Sequence, residues 1–452
     1  MSKKDYVIEH KKNPFFTFIK IVIIIVVLLI MIGLENSKKV DNMCYANIIG
    51  LDKSESAKDE VLITFQLVTP KMESSNSVST DDTTVTSISE KSLDLALARI
   101  QDYISYSIDF SNTTALIISE ELAKDGVQRY ISTISSNLSY SSNMYVLTCE
   151  QKAYKFIEAL DKNKDINTMG YFDILKNSEE ISGSTKVVNL TEFSNLLFTT
   201  YATPYTPICK VNDISALENN TQDEAGNEAT EENSSKGNGS SSSNSSESSK
   251  TVDNTDIQDE NVILQKSKYP IEIGGTAIYD DEKFIGKLTA DETAFHIMLT
   301  AKLKSYSTSI DMGQNSSDNN QTSSSNVNIS QTKKAKIKVD TNSDKPRIDI
   351  SIPLDIVILD TPAGEYNYLN SSYINEVKSN VTQVLDTKMD NYLNKIQKEF
   401  GVDLDEFYKQ SRKNFLTSKE YNEYNFKEKF KIAKINVKFD ISFSDSGLNL
   451  EK

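Results

Sequence analysis

Helical and alternating apolar periods within one chain predict an α+β fold, arranged as a membrane-anchored, multi-domain ectodomain. Three observations carry this expectation. A single apolar run, Phe15 to Leu34 (FFTFIKIVIIIVVLLIMIGL), has the length a helix needs to cross about 30 Å of hydrocarbon. From Val40 to Val211, β-branched strand-like stretches alternate with short amphipathic helices. Near the C-terminus a long amphipathic stretch is flanked by strictly alternating ones. That pattern predicts an antiparallel sheet packed by a long amphipathic helix on its apolar face.

The anchor comes first in the chain. Lys3, Lys4, Lys11 and Lys12 precede the run, and Lys38 and Lys39 follow it. The excess places residues 1–14 as a cytoplasmic tail, 15–34 as a transmembrane signal anchor and the bulk of the chain outside. Lys20 lies one turn inside the boundary, where its stem can lift the ammonium back to the headgroups. A cleaved signal peptide would have a shorter apolar core followed by small residues, and Gly33-Leu34-Glu35-Asn36-Ser37 is a poor match. No cysteine ends the run, so none there can take a lipid.

Strand and helix then alternate. Val61, Ile63, Phe65 and Leu67 interleave with Leu62, Thr64, Gln66 and Val68, a strand apolar enough on both sides to be largely buried. Ser92 can cap a helix carrying Leu93, Leu97, Ile100 and Ile104 on one stripe. Thr114 to Ile118 reads as an interior strand. Ser119-Glu120-Glu121-Leu122-Ala123 opens a helix with acids in its first turn, which Gly126 can end in the left-handed conformation. This N-terminal α/β region is expected over 40–211.

Residues 212–260 are Ser, Asn, Glu and Asp with almost no large apolar residue, a composition that cannot offset its ordering entropy. They are expected to be a disordered linker. A C-terminal α+β domain is expected over 263–448, with a similar polar tract at 312–331 read as a disordered hairpin loop. Ile374, Val377, Val381, Val384, Leu385, Tyr392, Leu393, Ile396 and Phe400 recur at helical steps, predicting a helix from Tyr373 to Phe400 closed by Gly401. Ala433, Ile435, Val437, Phe439, Ile441 and Phe443 alternate with polar residues as a half-exposed strand. Ile348, Ile350 and Ile352 repeat that pattern, and Ile337 and Val339 begin a neighbour.

Composition and chemistry narrow the function. Across 452 residues the net charge is -16, which argues against nucleic acid as a partner. Cys44, Cys149 and Cys209 are too few for a disulfide scaffold. Cys149 reads as a core residue of a buried strand, with a Cys149–Cys209 bridge as the alternative. The two histidines are His10, in the tail, and His296, read as a surface or edge residue. Cys/His metal sites are therefore not expected, and no cofactor is implied. The acid pairs Asp81-Asp82, Glu179-Glu180 and Asp280-Asp281 lack calcium-loop spacing and read as solvated loop charge. Gly274-Gly275 has no following Lys-Ser/Thr and makes no phosphate loop. No catalytic constellation emerges.

Several ordered stretches resemble the C-subunit family of spore nutrient germinant receptors. Ile48-Ile49-Gly50-Leu51-Asp52 followed by Val61 to Pro70 looks like its first strand pair, and Leu116 to Gly126 like its next strand and helix. Gly275 to Tyr279, then Lys283-Phe284-Ile285-Gly286-Lys287-Leu288-Thr289, looks like the opening of its C-terminal domain. The closing helix with Phe400-Gly401-Val402-Asp403 and the last alternating strand follow in order. The family-motif positions are thus Gly50, Asp52, Gly126, Gly275, Lys283, Gly286, Leu288 and Gly401. Family members usually carry a lipid-modified cysteine before the first motif. Here the transmembrane run takes that place, and Cys44 falls within the first strand.

The resemblance implies a non-enzymatic receptor subunit on the outer face of the spore inner membrane. It would assemble with two integral-membrane partners, one transporter-like and one a multi-domain membrane subunit, and meet membrane lipid through the N-terminal helix. The alternative is a membrane-anchored extracellular binding or cell-wall-associated protein. Such a module calls for an apolar pocket lined with aromatics, whereas the Tyr and Phe residues here scatter along the chain.

Overall fold

The computed structural model describes residues 18–26, 43–57, 59–69, 71–72, 78–79, 83–137, 139–163, 171–172, 175, 179, 181–212, 270–314, 322–360 and 371–443. The tail at 1–14, most of the anchor run, the linker from residue 213, Asp81-Asp82, Glu180 and residues 444–448 lie outside them. Residues 18–26 are helical (α1) and exposed. Among the described residues no helix is long and apolar enough to cross a membrane.

A mixed nine-stranded sheet organises the first half. β1 (Met43–Lys53) pairs antiparallel with β2 (Val61–Val68), as expected. A small hairpin of β3 (Lys71–Met72) and β4 (Val78–Ser79) follows, and β5 (Thr83–Glu90) closes this edge against β2. Helix α2 (Leu93–Tyr103) starts at Ser92, whose hydroxyl accepts from the Leu95 N–H. On the other edge of β1, β6 (Ser107–Asp109) and β7 (Ala115–Ser119) lie parallel to it, one after the other.

The chain continues through α3 (Glu120–Asp125) and α4 (Gln128–Ser136) into β8 (Tyr145–Cys149). After α5 (Ala153–Lys162) and α6 (Leu190–Phe198) comes β9 (Tyr205–Val211); β7, β8 and β9 run parallel. Gly126 departs from expectation. Its φ of 120° with ψ of 138° is open to glycine but outside the left-handed helical well, because the chain extends there towards Val127.

Both faces of this sheet are covered. Ile48, Ile117 and Leu147 pack under α5 through Phe156, Ile157 and Leu160. Ile49, Leu51, Phe65, Leu116 and Val146 face α2, α3, α4 and α6. Two-sided burial explains why these strands read as nearly continuous apolar runs. Cys44 is buried in β1. Cys149 and Cys209 stand opposite each other on β8 and β9, and all three thiols are free.

The sheet does not stop at the polar linker. Asn212 donates its N–H to the Pro270 carbonyl at 2.8 Å, and β10 (Ile271–Asp280) pairs antiparallel with β9 across the interruption. With β11 (Lys283–Leu288), two strands from beyond the linker complete the first sheet.

A second, five-stranded sheet follows helix α7 (Ala290–Thr300): β12 (Tyr306–Gln314), β13 (Thr322–Gln331), β14 (Lys336–Asp340), β15 (Arg347–Asp360) and β16 (Lys434–Phe443). Helix α8 (Ser371–Asn394) continues as a π-helical turn, Lys395–Phe400, and ends at Gly401 with φ 67°. Its buried stripe Val377, Val381, Leu385, Met389, Tyr392 and Ile396 lies among Ile348, Ile350, Ile352, Leu354 and Ile356 of β15. Three short helices, α9 (Phe407–Ser411), α10 (Ser418–Tyr424) and α11 (Phe426–Phe430), cap this core.

Two expectations are corrected here. The tract 312–331 is not a loop throughout: β12 runs to Gln314 and β13 fills Thr322–Gln331, turning Ser325, Val327, Ile329 and Gln331 inward, while residues 315–321 lie outside the described residues. Only two apolar residues mark that alternation, so composition concealed it. The sheet is also not wholly antiparallel. β16 pairs parallel with β15 along ten residues, Arg347 opposite Lys434 through Ile356 opposite Phe443, because α8 and the capping helices carry the chain back to β15's starting end.

Candidate functional site

The family-motif positions gather at two places. The first is where β1 meets α5. Asp52 ends the buried part of β1, and its carboxylate accepts the Ala153 N–H at 2.7 Å and the Tyr154 N–H at 2.9 Å. It therefore caps α5, whose own preceding residue, Lys152, supplies no side-chain cap. A helix N-terminus attracts anions, and here the chain's own carboxylate fills the position. Burial pushes the Asp52 carboxyl up, and the two N–H donors and the Lys152 ammonium oppose it. Lys152 also pairs with Glu121 at 2.8 Å. Gly50 lies beneath Ile157, letting α5 rest directly on β1.

The second place is the β10–β11 hairpin, which touches both cores. Gly275 has φ 82°, and a Cβ there would sit 2.5 Å from the Leu288 carbonyl oxygen. Only glycine meets both demands. A Cβ at Gly286 would collide with the Phe400 ring, leaving no room for a side chain. Leu288 is fully buried, whereas Lys283 is exposed at the start of β11. Gly126 faces the Glu282 carboxylate, and the Val127 N–H donates to the Glu282 carbonyl at 3.0 Å. Asp280 pairs with Lys427 at 2.8 Å, with Asp281 at 3.6 Å, so this acid pair is a bridge to α11. Glu179 likewise pairs with Lys186 at 2.6 Å.

Beside the hairpin lies a buried polar cluster that sequence reasoning missed. His296, expected at a surface, is fully buried. Every residue from Thr293 to Leu299 of α7 is buried, so beyond its first turn the helix has no solvent face on which His296 could sit. Its Nδ1 lies 2.9 Å from Asp405 Oδ1, and the Tyr392 hydroxyl donates to the same oxygen at 2.7 Å. Tyr205, from the first sheet, meets the imidazole edge-to-face with centroids 4.9 Å apart.

Asp403, two residues earlier, caps α9 by accepting the Phe407 N–H at 3.0 Å and the Tyr408 N–H at 2.6 Å. Burial pushes its carboxyl up to about 8, against the pull of those donors and with help from Asp405 and Glu406. Burial raises Asp405 too, opposed by His296 and Tyr392. The only available signal was the alternation Val402-Asp403-Leu404-Asp405 just after the helix-ending glycine.

A histidine oriented by a carboxylate resembles a general base with its orienting partner. Here both side chains are wholly shielded from solvent, and His296 Nε2 and Asp405 Oδ2 have no hydrogen-bond partner among the described residues. The arrangement offers a substrate no approach. What it does is tie α7, α8 and the 401–406 segment to Tyr205 of the first sheet. Among the described residues no group of three His, Cys, Asp or Glu side chains converges as a metal site.

Comparison with known proteins assigns the chain. Residues 36–211 match the N-terminal domain of spore germination proteins, and residues 274–447 match the spore germination B3/GerAC-like C-terminal domain. No curated protein matches. Among solved structures, the crystal structure of the GerBC protein is 13% identical, with the match covering 88% of this chain and 97% of that one at a TM-score of 0.47. The two domain matches together span most of the chain, in the order and at the places where the motif residues were read, and this protein belongs to the GerAC-like family of spore germination proteins.

Proposed function

We propose that this chain is a non-enzymatic subunit of a spore nutrient germinant receptor, anchored by Phe15–Leu34 with its bulk on the outer face of the spore inner membrane. It acts by assembling with integral-membrane partner subunits, one transporter-like and one a multi-domain membrane protein. The observation that carries this reading is the pair of family matches on either side of the polar linker. The site geometry supports it. Asp52, Asp403 and Asp405 are engaged in capping helices or holding His296, which is the work of a rigid adaptor.

The test is made in spores. Removing the chain should abolish the response to nutrients and spare germination by agents that bypass nutrient receptors. A tagged chain solubilised from spore membranes should bring down two polytopic membrane proteins. An undiminished nutrient response in its absence, across the nutrients that trigger these spores, sinks the proposal.

A further inference from the structure

We infer that the end of the nine-stranded sheet carrying Met43 and the Tyr103–Tyr106 turn is a lipid-contact surface, resting on the headgroups of the bilayer that holds the anchor. This inference rests on the anchor reading of Phe15–Leu34 given above. Strand pairing identifies the end concerned. Met43 opens β1 opposite Ser107 of β6; Tyr45 stands opposite Val68, where β2 ends; Val68 stands opposite Thr83, where β5 begins. Helix α2 leaves from the far end, after Glu90, and its last residue, Tyr103, arrives just before the strand that pairs with Met43.

The length of chain outside the structure sets the distance. Residues 35–42 separate Leu34 from Met43, and fully extended they span about 30 Å. β1 itself, with 11 residues, is about 36 Å long. A tether of that length keeps Met43 within about 30 Å of the membrane face, less than the length of the strand.

The chemistry of the two ends points the same way. Tyr103 is 85% exposed and Tyr106 38% exposed on this tip. Tyrosine places an apolar ring and a polar hydroxyl where hydrocarbon gives way to headgroups. No Lys or Arg lies between Ile104 and Thr114, and Asp109 is turned onto Ser111, accepting its N–H at 2.8 Å. The Tyr103–Thr114 stretch thus carries no basic residue and one acid held within its own turn, suited to a zwitterionic surface; the charges of the β2–β5 connection, Lys71, Glu73, Asp81 and Asp82, leave from the same end. The opposite end is dense in charge: Lys53 pairs with Asp125, Lys152 with Glu121, and the Glu55 side chain is 89% exposed. Placing those charges on lipid would cost far more than placing two tyrosines there.

The absence of tryptophan makes the test direct, since one introduced Trp is the only such fluorophore. The full chain carrying Tyr103→Trp, Tyr106→Trp or Glu55→Trp is reconstituted into phosphatidylcholine vesicles. Matched vesicles contain phosphatidylcholine brominated near the upper acyl chain. All three variants should float with the vesicles. Trp at 103 and 106 should shift to the blue and lose emission to the brominated lipid, while Trp at 55 should do neither. Flotation without quenching at 103 and 106, or with quenching at 55 instead, overturns the surface and leaves the anchor standing. Failure of every variant to float overturns the anchor and this surface with it.

Discussion

The two cores bury carboxylates differently. In the first sheet Asp52 is buried alone, with both oxygens held by the N-terminal N–H groups of α5 and Lys152 nearby to balance its charge. In the C-terminal core Asp403 and Asp405 are buried two residues apart. Asp403 caps α9, while Asp405 leans on His296 and Tyr392 and leaves one oxygen unmatched among the described residues. A lone carboxylate at a helix terminus is a local, self-contained device. The second arrangement is satisfied only when α7, α8 and the first sheet's Tyr205 are all in place. The C-terminal core should therefore be the more cooperative and the more easily broken of the two.

The largest expected effect tests that directly. Val381→Asp or Leu385→Asp puts an unpaired carboxylate where α8 meets β15, and should cost more than about 3 kcal/mol. Chemical denaturation should show the C-terminal core lost first. If the signal from the first sheet is lost at the same denaturant concentration, the β10–β11 hairpin makes the two cores a single cooperative unit. Next, His296→Leu leaves Asp405 buried with Tyr392 as its remaining partner, at an expected cost of about 2–4 kcal/mol. Asp52→Ala loses a helix cap, expected to cost about 1–2 kcal/mol. Equal losses at both sites would break the comparison.

A pH titration sharpens it. The folded value for Asp403, near 8, lies above the ordinary carboxyl value of about 4. Between those values the folded protein holds a proton that the unfolded chain has released. The stabilisation is complete below about pH 4 and fades as pH rises towards 8. The melting temperature should fall from pH 6 to pH 9, and Asp403→Asn should flatten that slope. An unchanged slope in the variant would assign the pH dependence elsewhere. The smallest effect concerns the linker. Asn212 and Pro270 already meet, so replacing residues 213–269 with a short Gly/Ser turn should leave both cores folded. It should add only about 0.6 kcal/mol for each halving of length. Unfolding on this replacement would mean that the segment is needed by the cores.

By itself the sequence determined the local elements and the family. The β1–β2 pair, α2 with its Ser92 cap, the α8 stripe and the alternation of β16 were all legible, because periodicity and capping depend on residues within a turn or two of each other. The motif glycines were legible as positions but not as contacts. Nothing local says that Gly286 meets Phe400 or that Gly275 crowds the Leu288 carbonyl. Tertiary structure alone decided the rest. It ran the first sheet on through β10 and β11 beyond the polar linker, laid β16 parallel to β15, and made a strand of the Ser/Asn tract at 322–331. It also enclosed His296 with Asp405. Each of these outcomes depends on which distant segment becomes a neighbour, and burial, strand direction and the partner of a polar group exist only once that neighbour is in place.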